Sequence, residues 1–144
     1  MSLQDKLFGF RSEKLKAEKE AGAKYIVENS SKEGVVQLPN GIQYQVLKEG
    51  DGKQPKPNST IRAHYRGSLL DGKEFDSSYK RNQPFTARLT QLIKGWQEVI
   101  PMMKEGSTWR LWIPSDLAYG DSGTGGIPGG ATLQFDVELL QILD

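Results

Sequence analysis

The stretch GKEFDSS, residues 72–78, sets one carboxylate, Asp76, directly behind Phe75 and just after an Asp71-Gly72 turn. A carboxylate in such a place has two chemical uses. It can move a proton, or it can stand as a fixed negative wall that orients something else. A free aspartic acid, with a pKa of about 3.9, is ionised at neutral pH. Proton donation would require a large upward shift by burial, so the wall is the favoured role and donation the alternative. The chain holds one histidine, His64, and no cysteine. Two-histidine metal sites, thiolate metal sites and thiol nucleophiles are therefore excluded, and neither a metal nor a cofactor is expected. A Ser-His-Asp set would need His64 in a cleft. Strand alternation in TIRAHYRGSL instead sets His64 with Arg62 and Arg66, opposite Ile61, Ala63 and Tyr65. His64 reads as a solvent-side strand residue.

Two glycine-rich segments fail as nucleotide sites. GSLLDGKE (67–74) has nearly the spacing of a phosphate loop, but Glu74 replaces the hydroxyl residue and a hairpin replaces the strand-to-helix context. DSGTGGIPGG (121–130) lacks the dinucleotide fingerprint and leads into a strand. What remains is a set of aromatic residues at the edges of elements: Tyr65, Phe75, Trp96, Tyr119 and Phe135. Singly, each reads as core packing. Together they could line an apolar pocket, with tyrosine hydroxyls and Asp76 as its sparse polar groups.

The elements that must position these residues are legible from hydrophobic period. Residues 2–29 read as a helix, with Ser2 and Asp5 as a capping box and good helix formers in RSEKLKAEKEAGAK. Its apolar residues fall in two patches, Leu3, Leu7, Phe8 and Phe10 at the start and Tyr25, Ile26 and Val27 near the end, with Leu15 almost alone between. A mostly solvated helix with apolar ends suggests an appendage or dimerisation arm. Packing on the following domain is the alternative. Gly9 and Gly22 weaken it locally.

From Val35 the period becomes two. VVQL and IQYQVL flank Pro39-Asn40-Gly41, a hairpin signal, and further strands are expected in TIRAHYRGSL, PFTARL, TWRLWIP and ATLQFDVELLQIL. In LIKGWQEVIPMM the apolar residues Leu92, Ile93, Trp96, Val99, Ile100 and Met103 recur at helical spacing, and Pro101 limits that helix to a few turns. The expected class is α+β: an antiparallel sheet with one face covered by a short helix. The expected division is an N-terminal helical extension, 1–34, and a compact domain, 35–144.

Composition bounds the rest. A chain of 144 residues suits one core, and a net charge of +1 offers no basic excess for nucleic acid. No apolar run is long enough to span a membrane. The start lacks the pattern of a signal peptide, which suits the cytoplasm. A leader standing in place of a removed signal would instead suit the bacterial periplasm or envelope, and a cysteine-free chain fits either compartment.

The segments RAHYRGSLLDGKEFDSS, QLIKGWQEVIPMM, IPSDLAYG and ATLQFDVELL, in that order between about Gly41 and Leu143, resemble the FKBP-type peptidyl-prolyl cis-trans isomerases, immunophilins that bind tacrolimus and rapamycin. The charged helix and GSTWRLWIPSDLAYG further resemble the bacterial macrophage-infectivity-potentiator branch. The resemblance implies a twisted antiparallel half-barrel wrapped around one short helix, and rotation of X-Pro bonds in peptides and folding proteins. It implies catalytic roles for Tyr65, Asp76, Ile93 and Tyr119, the last two as a backbone and a hydroxyl donor. Substrate-binding roles are implied for Phe75, Phe85, Leu92, Trp96 as the floor, Ala118, Ile127 and Phe135. It also leaves open a proline-binding chaperone or interaction module with little turnover, and a homodimer formed through the N-terminal helix. Three departures stand out. Gln91 replaces a common acidic residue, Ala87 a common aromatic, and Gly129-Gly130 follow Ile127-Pro128 where proline is frequent, suggesting a looser loop.

Overall fold

The computed structural model describes residues 3–144, with side chains from Ser12 onward. Helix α1 runs Leu3–Asn29; Ser2 and its capping box, and the side chains of Leu3, Leu7, Phe8 and Phe10, lie outside the described residues. Seven strands follow: β1 Val35–Gln37, β2 Gln43–Lys48, β3 Thr60–Leu69, β4 Glu74–Ser77, β5 Phe85–Arg88, β6 Thr108–Ile113 and β7 Leu133–Ile142. Helix α2, Lys94–Val99, lies between β5 and β6, and Pro101 turns its end into a 3-10 turn, Ile100–Met102. All pairings are antiparallel, in the order β1-β2-β6-β7-β3-β4, with β5 also on β3. The expected α+β half-barrel around a short helix is the fold observed.

The core follows from alternation. Leu111 and Ile113 from β6, Leu133, Phe135, Val137 and Leu139 from β7, and Ile61 and Ala63 from β3 face inward and are buried. Trp96, Val99, Ile100 and Met103 cover them. β3 carries two partners along one edge. β5 pairs with Thr60–Ala63, and β4 with Arg66–Ser68. The chain that leaves β4 and returns as β5 thus crosses the level of Tyr65.

One end of the outer face is also covered. Leu15, Glu18, Gly22, Tyr25, Ile26 and Asn29 form the least exposed stripe of α1, at spacings of three and four residues. Asn29 Nδ2 donates to Gln43 Oε1 at 2.8 Å, and Gln43 Nε2 donates to the Ile26 carbonyl at 2.8 Å. Lys19 pairs with Asp121 at 2.8 Å. Gln43 and its cross-strand neighbour Trp112 are buried although they face away from the core. Gly22, read from sequence as a weak point, is what allows this contact: a Cβ there would lie 2.3 Å from Thr132 Oγ1. The second half of α1 therefore packs on the sheet, the alternative that the sequence left open. Gly22→Leu should force the helix off Thr132 and lower stability by roughly 1–3 kcal/mol. Leucine at the neighbouring exposed Ala21 should change it by less than about 0.5 kcal/mol; urea unfolding of the two variants makes the comparison.

Candidate active site

A cavity of about 190 Å³ opens between α2 and the concave side of the sheet, lined by Tyr65, Phe75, Asp76, Phe85, Leu92, Ile93, Trp96, Tyr119 and Phe135. Its base is the Trp96 indole, which packs edge-on to Tyr65 at 5.3 Å and to Phe135 at 5.2 Å between centroids, and tilted against Phe85 at 5.6 Å. Phe75 meets Phe135 at 5.7 Å and 90°. Such T-shaped pairs set the positive edge of one ring against the negative face of another, which fixes ring orientation as well as burying area. Neighbouring strands β3, β5 and β7 supply the walls and α2 the base, so rigid elements hold the cup.

Besides the Trp96 indole N–H, the polar side chains that line it are Tyr65, Asp76 and Tyr119. The Tyr65 hydroxyl donates to Asp76 Oδ2, and Arg81 Nη1 pairs with Asp76 Oδ1. Arg81 Nη2 also donates to the Tyr65 oxygen at 3.2 Å, and the guanidinium stands 5.8 Å from the Tyr65 ring centroid. Burial by itself would raise the Asp76 carboxyl, but the Tyr65 hydroxyl and the Arg81 guanidinium together outweigh it and hold the group below the usual carboxylate range. Asp76 is thus an anion at neutral pH. The Tyr65 phenol is raised, first by burial and then by its bond to Asp76. The Tyr119 phenol is raised by burial and by the charge of Asp76. Both tyrosines remain protonated and able to donate.

Ile93 is the N-cap of α2, at φ −58° and ψ 151°. Its carbonyl accepts from Trp96 N–H at 3.1 Å and Gln97 N–H at 3.2 Å. Among the described residues no protein group accepts from the Ile93 N–H, as expected of a helix start. Gln97 Nε2 donates to the Leu92 carbonyl at 2.7 Å and so holds the turn that presents this amide.

Nine of the expected site residues meet at the cavity. Ala118 and Ile127 do not line it. Ala118 packs on the edge of the core, while Ile127 is buried and bonded at both backbone groups to Thr124. His64 faces away, with Nδ1 2.8 Å from Ser78 Oγ and its ring stacked on Tyr79 at 4.6 Å. Arg81, Gln97 and Ser78 were not foreseen. Arg81 follows Asp76 by five residues in a polar turn, and nothing in its immediate sequence marks it. Among the described residues no group of three His, Asp or Glu side chains gathers where a metal could bind, and Asp76 is already engaged.

Known proteins resemble this chain in sequence and in fold. A family model described as FKBP-type peptidyl-prolyl cis-trans isomerase matches residues 51–140, and one for the domain amino-terminal to it matches residues 1–46. The chain belongs to the FKBP-type peptidyl-prolyl cis-trans isomerase family. It is 47% identical over 135 residues to the isomerase FkpA of Aeromonas hydrophila, covering 90% of this chain and 50% of that protein. It is 39% identical over 132 residues to the outer membrane protein MIP of Legionella longbeachae, covering 91% and 57%. The crystal structure of FkpA from Escherichia coli superimposes with a TM-score of 0.92 at 38% identity, covering 96% of this chain and 65% of that one. The chain thus spans between half and two thirds of these relatives.

Against this FKBP-type background, the departures have structural settings. Gln91 is exposed at the end of a 3-10 turn, and neither it nor Ala87 lines the cavity. The glycines after Pro128 are closely packed. Gly129 packs so tightly that a Cβ would lie 1.9 Å from the Asp121 carbonyl oxygen, and Gly130, at φ 80°, abuts Leu15 of α1.

The depressed Asp76 value fixes the sign of a pH effect. A carboxyl lowered on folding stabilises the protein above its unfolded pKa of about 3.9, and that contribution disappears as pH falls through the lower folded value. Asp76→Asn should therefore lower cavity-dependent activity by a similar factor at every pH between about 5 and 8. A loss that instead followed a single carboxylate titration within that window would make Asp76 a proton donor.

Proposed function

We propose that this chain accelerates cis-trans rotation of X-Pro bonds in peptides and folding proteins, with no covalent bond formed to the protein. The observation that carries this reading is an aromatic cup floored by Trp96, with the Ile93 amide unpartnered among the described residues and the Tyr119 hydroxyl available beside it. Residues 35–144 form the isomerase domain in this reading, and residues 1–34 a helical extension whose N-terminal half serves self-association.

The chemistry demands little of the protein. Amide resonance opposes rotation by roughly 18–20 kcal/mol, and unassisted X-Pro exchange takes about tens to hundreds of seconds. A thousandfold acceleration needs about 4 kcal/mol of selective stabilisation. A planar amide is more dipolar than a twisted one, because twisting ends conjugation between nitrogen and carbonyl. Transfer from water into an apolar cup therefore penalises the planar form more. The proline ring seats on Trp96 among Tyr65, Phe85 and Phe135. The Ile93 N–H and the Tyr119 hydroxyl hold substrate carbonyls on the flanks while the bond turns. The Asp76 anion, neutralised by Arg81 and bonded to Tyr65, sets the polarity of one wall and keeps the Tyr65 ring in place.

An apolar residue before proline suits the surrounding aromatic and aliphatic rim, and tacrolimus or rapamycin would compete for the same seat. The likeness to a protein named for the outer membrane favours the cell envelope as its compartment.

A proline-peptide exchange assay tests the proposal. The full chain should speed exchange, rapamycin should abolish the effect, and Tyr119→Phe should lower kcat/KM by roughly 2- to 10-fold, the worth of one hydrogen bond. Peptide binding without faster exchange would make the protein a binding module instead.

A further inference from the structure

The placement of Tyr65 is decided at a break in the β3 edge. β4 pairs with β3 as far as Arg66, opposite Ser77, and β5 takes up the edge again at Ala63, opposite Phe85. Tyr65 falls between the two. In a regular antiparallel rung, Tyr65 and the residue after Ser77 would exchange two backbone bonds. Only half of that rung forms: Ser78 N–H donates to the Tyr65 carbonyl at 2.9 Å. The Ser78 carbonyl has turned away to accept from Gln83 N–H at 3.2 Å, which closes the loop leading to β5. The Tyr65 N–H donates instead to Ser78 Oγ at 2.7 Å. The hydroxyl thus stands in for the serine's own carbonyl. Ser78 is fully buried, and its oxygen also lies 3.2 Å from the Tyr65 carbonyl and 2.8 Å from His64 Nδ1.

We propose that Ser78 is a positioning residue of the isomerase site: its hydroxyl clamps the Tyr65 backbone and thereby aims the phenol at Asp76 and across Trp96. This rests on the isomerase reading above. The residues that hold Tyr65 come from one short stretch, 76–81. Ser78 holds its backbone, while Asp76, two residues earlier, and Arg81, three later, hold its hydroxyl. The substitution of Oγ for a carbonyl is what lets the chain leave β3 at the level of Tyr65 and come back with Phe85 beside the same ring, 5.3 Å away.

Ser78→Ala removes the acceptor of a buried N–H and should lower kcat/KM about fivefold, what one ordinary hydrogen bond is worth. The discriminating measurement is a double-mutant cycle. If Ser78 acts through the aim of the Tyr65 hydroxyl, then Ser78→Ala should cost less than about twofold in a Tyr65→Phe background. Full activity of Ser78→Ala, or losses that multiply independently, would overturn the proposal. Should Ser78→Ala fail to fold, amide exchange in the unaltered chain decides. The Tyr65 amide should be protected as strongly as the amides of the β3–β7 ladder, and exchange at the rate of an open loop would overturn the clamp. If the unaltered chain shows no isomerisation at all, the isomerase reading fails, and the same amide measurement still judges the clamp.

Discussion

The Trp96 indole is the contact on which the site depends. It touches Tyr65, Phe85 and Phe135, which come from β3, β5 and β7. Those strands are neighbours in the sheet, so α2 need only lay one ring across them to close the base of a cup. The rings pack edge to face, an arrangement that resists sliding because each ring's edge is attracted to its neighbour's face. In the proposed reading such resistance to sliding matters, since a soft cavity would collapse onto either form of the amide.

Polarity is rationed around this base. Among the described residues a single carboxylate lines the cup, and it is neutralised by Arg81 and bonded to Tyr65. A free buried anion would draw water into the cavity and erase the apolar advantage. An Asp76 anion held by Arg81 and by the Tyr65 hydroxyl is compensated where it lines the cup, and it orients the Tyr65 ring. In the proposed reading two further donors serve the substrate. One is a backbone amide at the start of α2, which helix geometry leaves unpaired. The other is the Tyr119 phenol, whose environment keeps it protonated.

The organisation of the chain follows from how α1 meets the sheet. Its second half buries Gly22 against Thr132 and ties Asn29 and Ile26 to Gln43. It also abuts Gly130 and pairs with Asp121 in the loop that begins just after Tyr119. Helix and cup are therefore linked through the Tyr119 loop, although none of the described side chains of α1 lines the cavity.

Much of this was written in the sequence. The period of two placed β2, β3, β5, β6 and β7, and helical spacing with Pro101 placed α2, because burial on one face imposes those periods directly on residue type. The aromatic set and Asp76 were legible as a site, since unusual residues at element edges carry chemistry that packing alone does not demand. The docking of α1 was not legible. Its contact stripe is made of Gly22, Glu18 and Asn29 as well as Leu15 and Ile26, and contact through small and hydrogen-bonded polar residues leaves no hydrophobic signature. Arg81 and Ser78 were hidden for a related reason. Their roles depend on where a turn returns the chain, and a hydroxyl replacing a carbonyl on the edge of β3 exists only once two other strands have taken the places beside it. Sequence determined which residues are apolar, aromatic or charged and at what period; the tertiary structure decided which backbone groups were left for the side chains to satisfy.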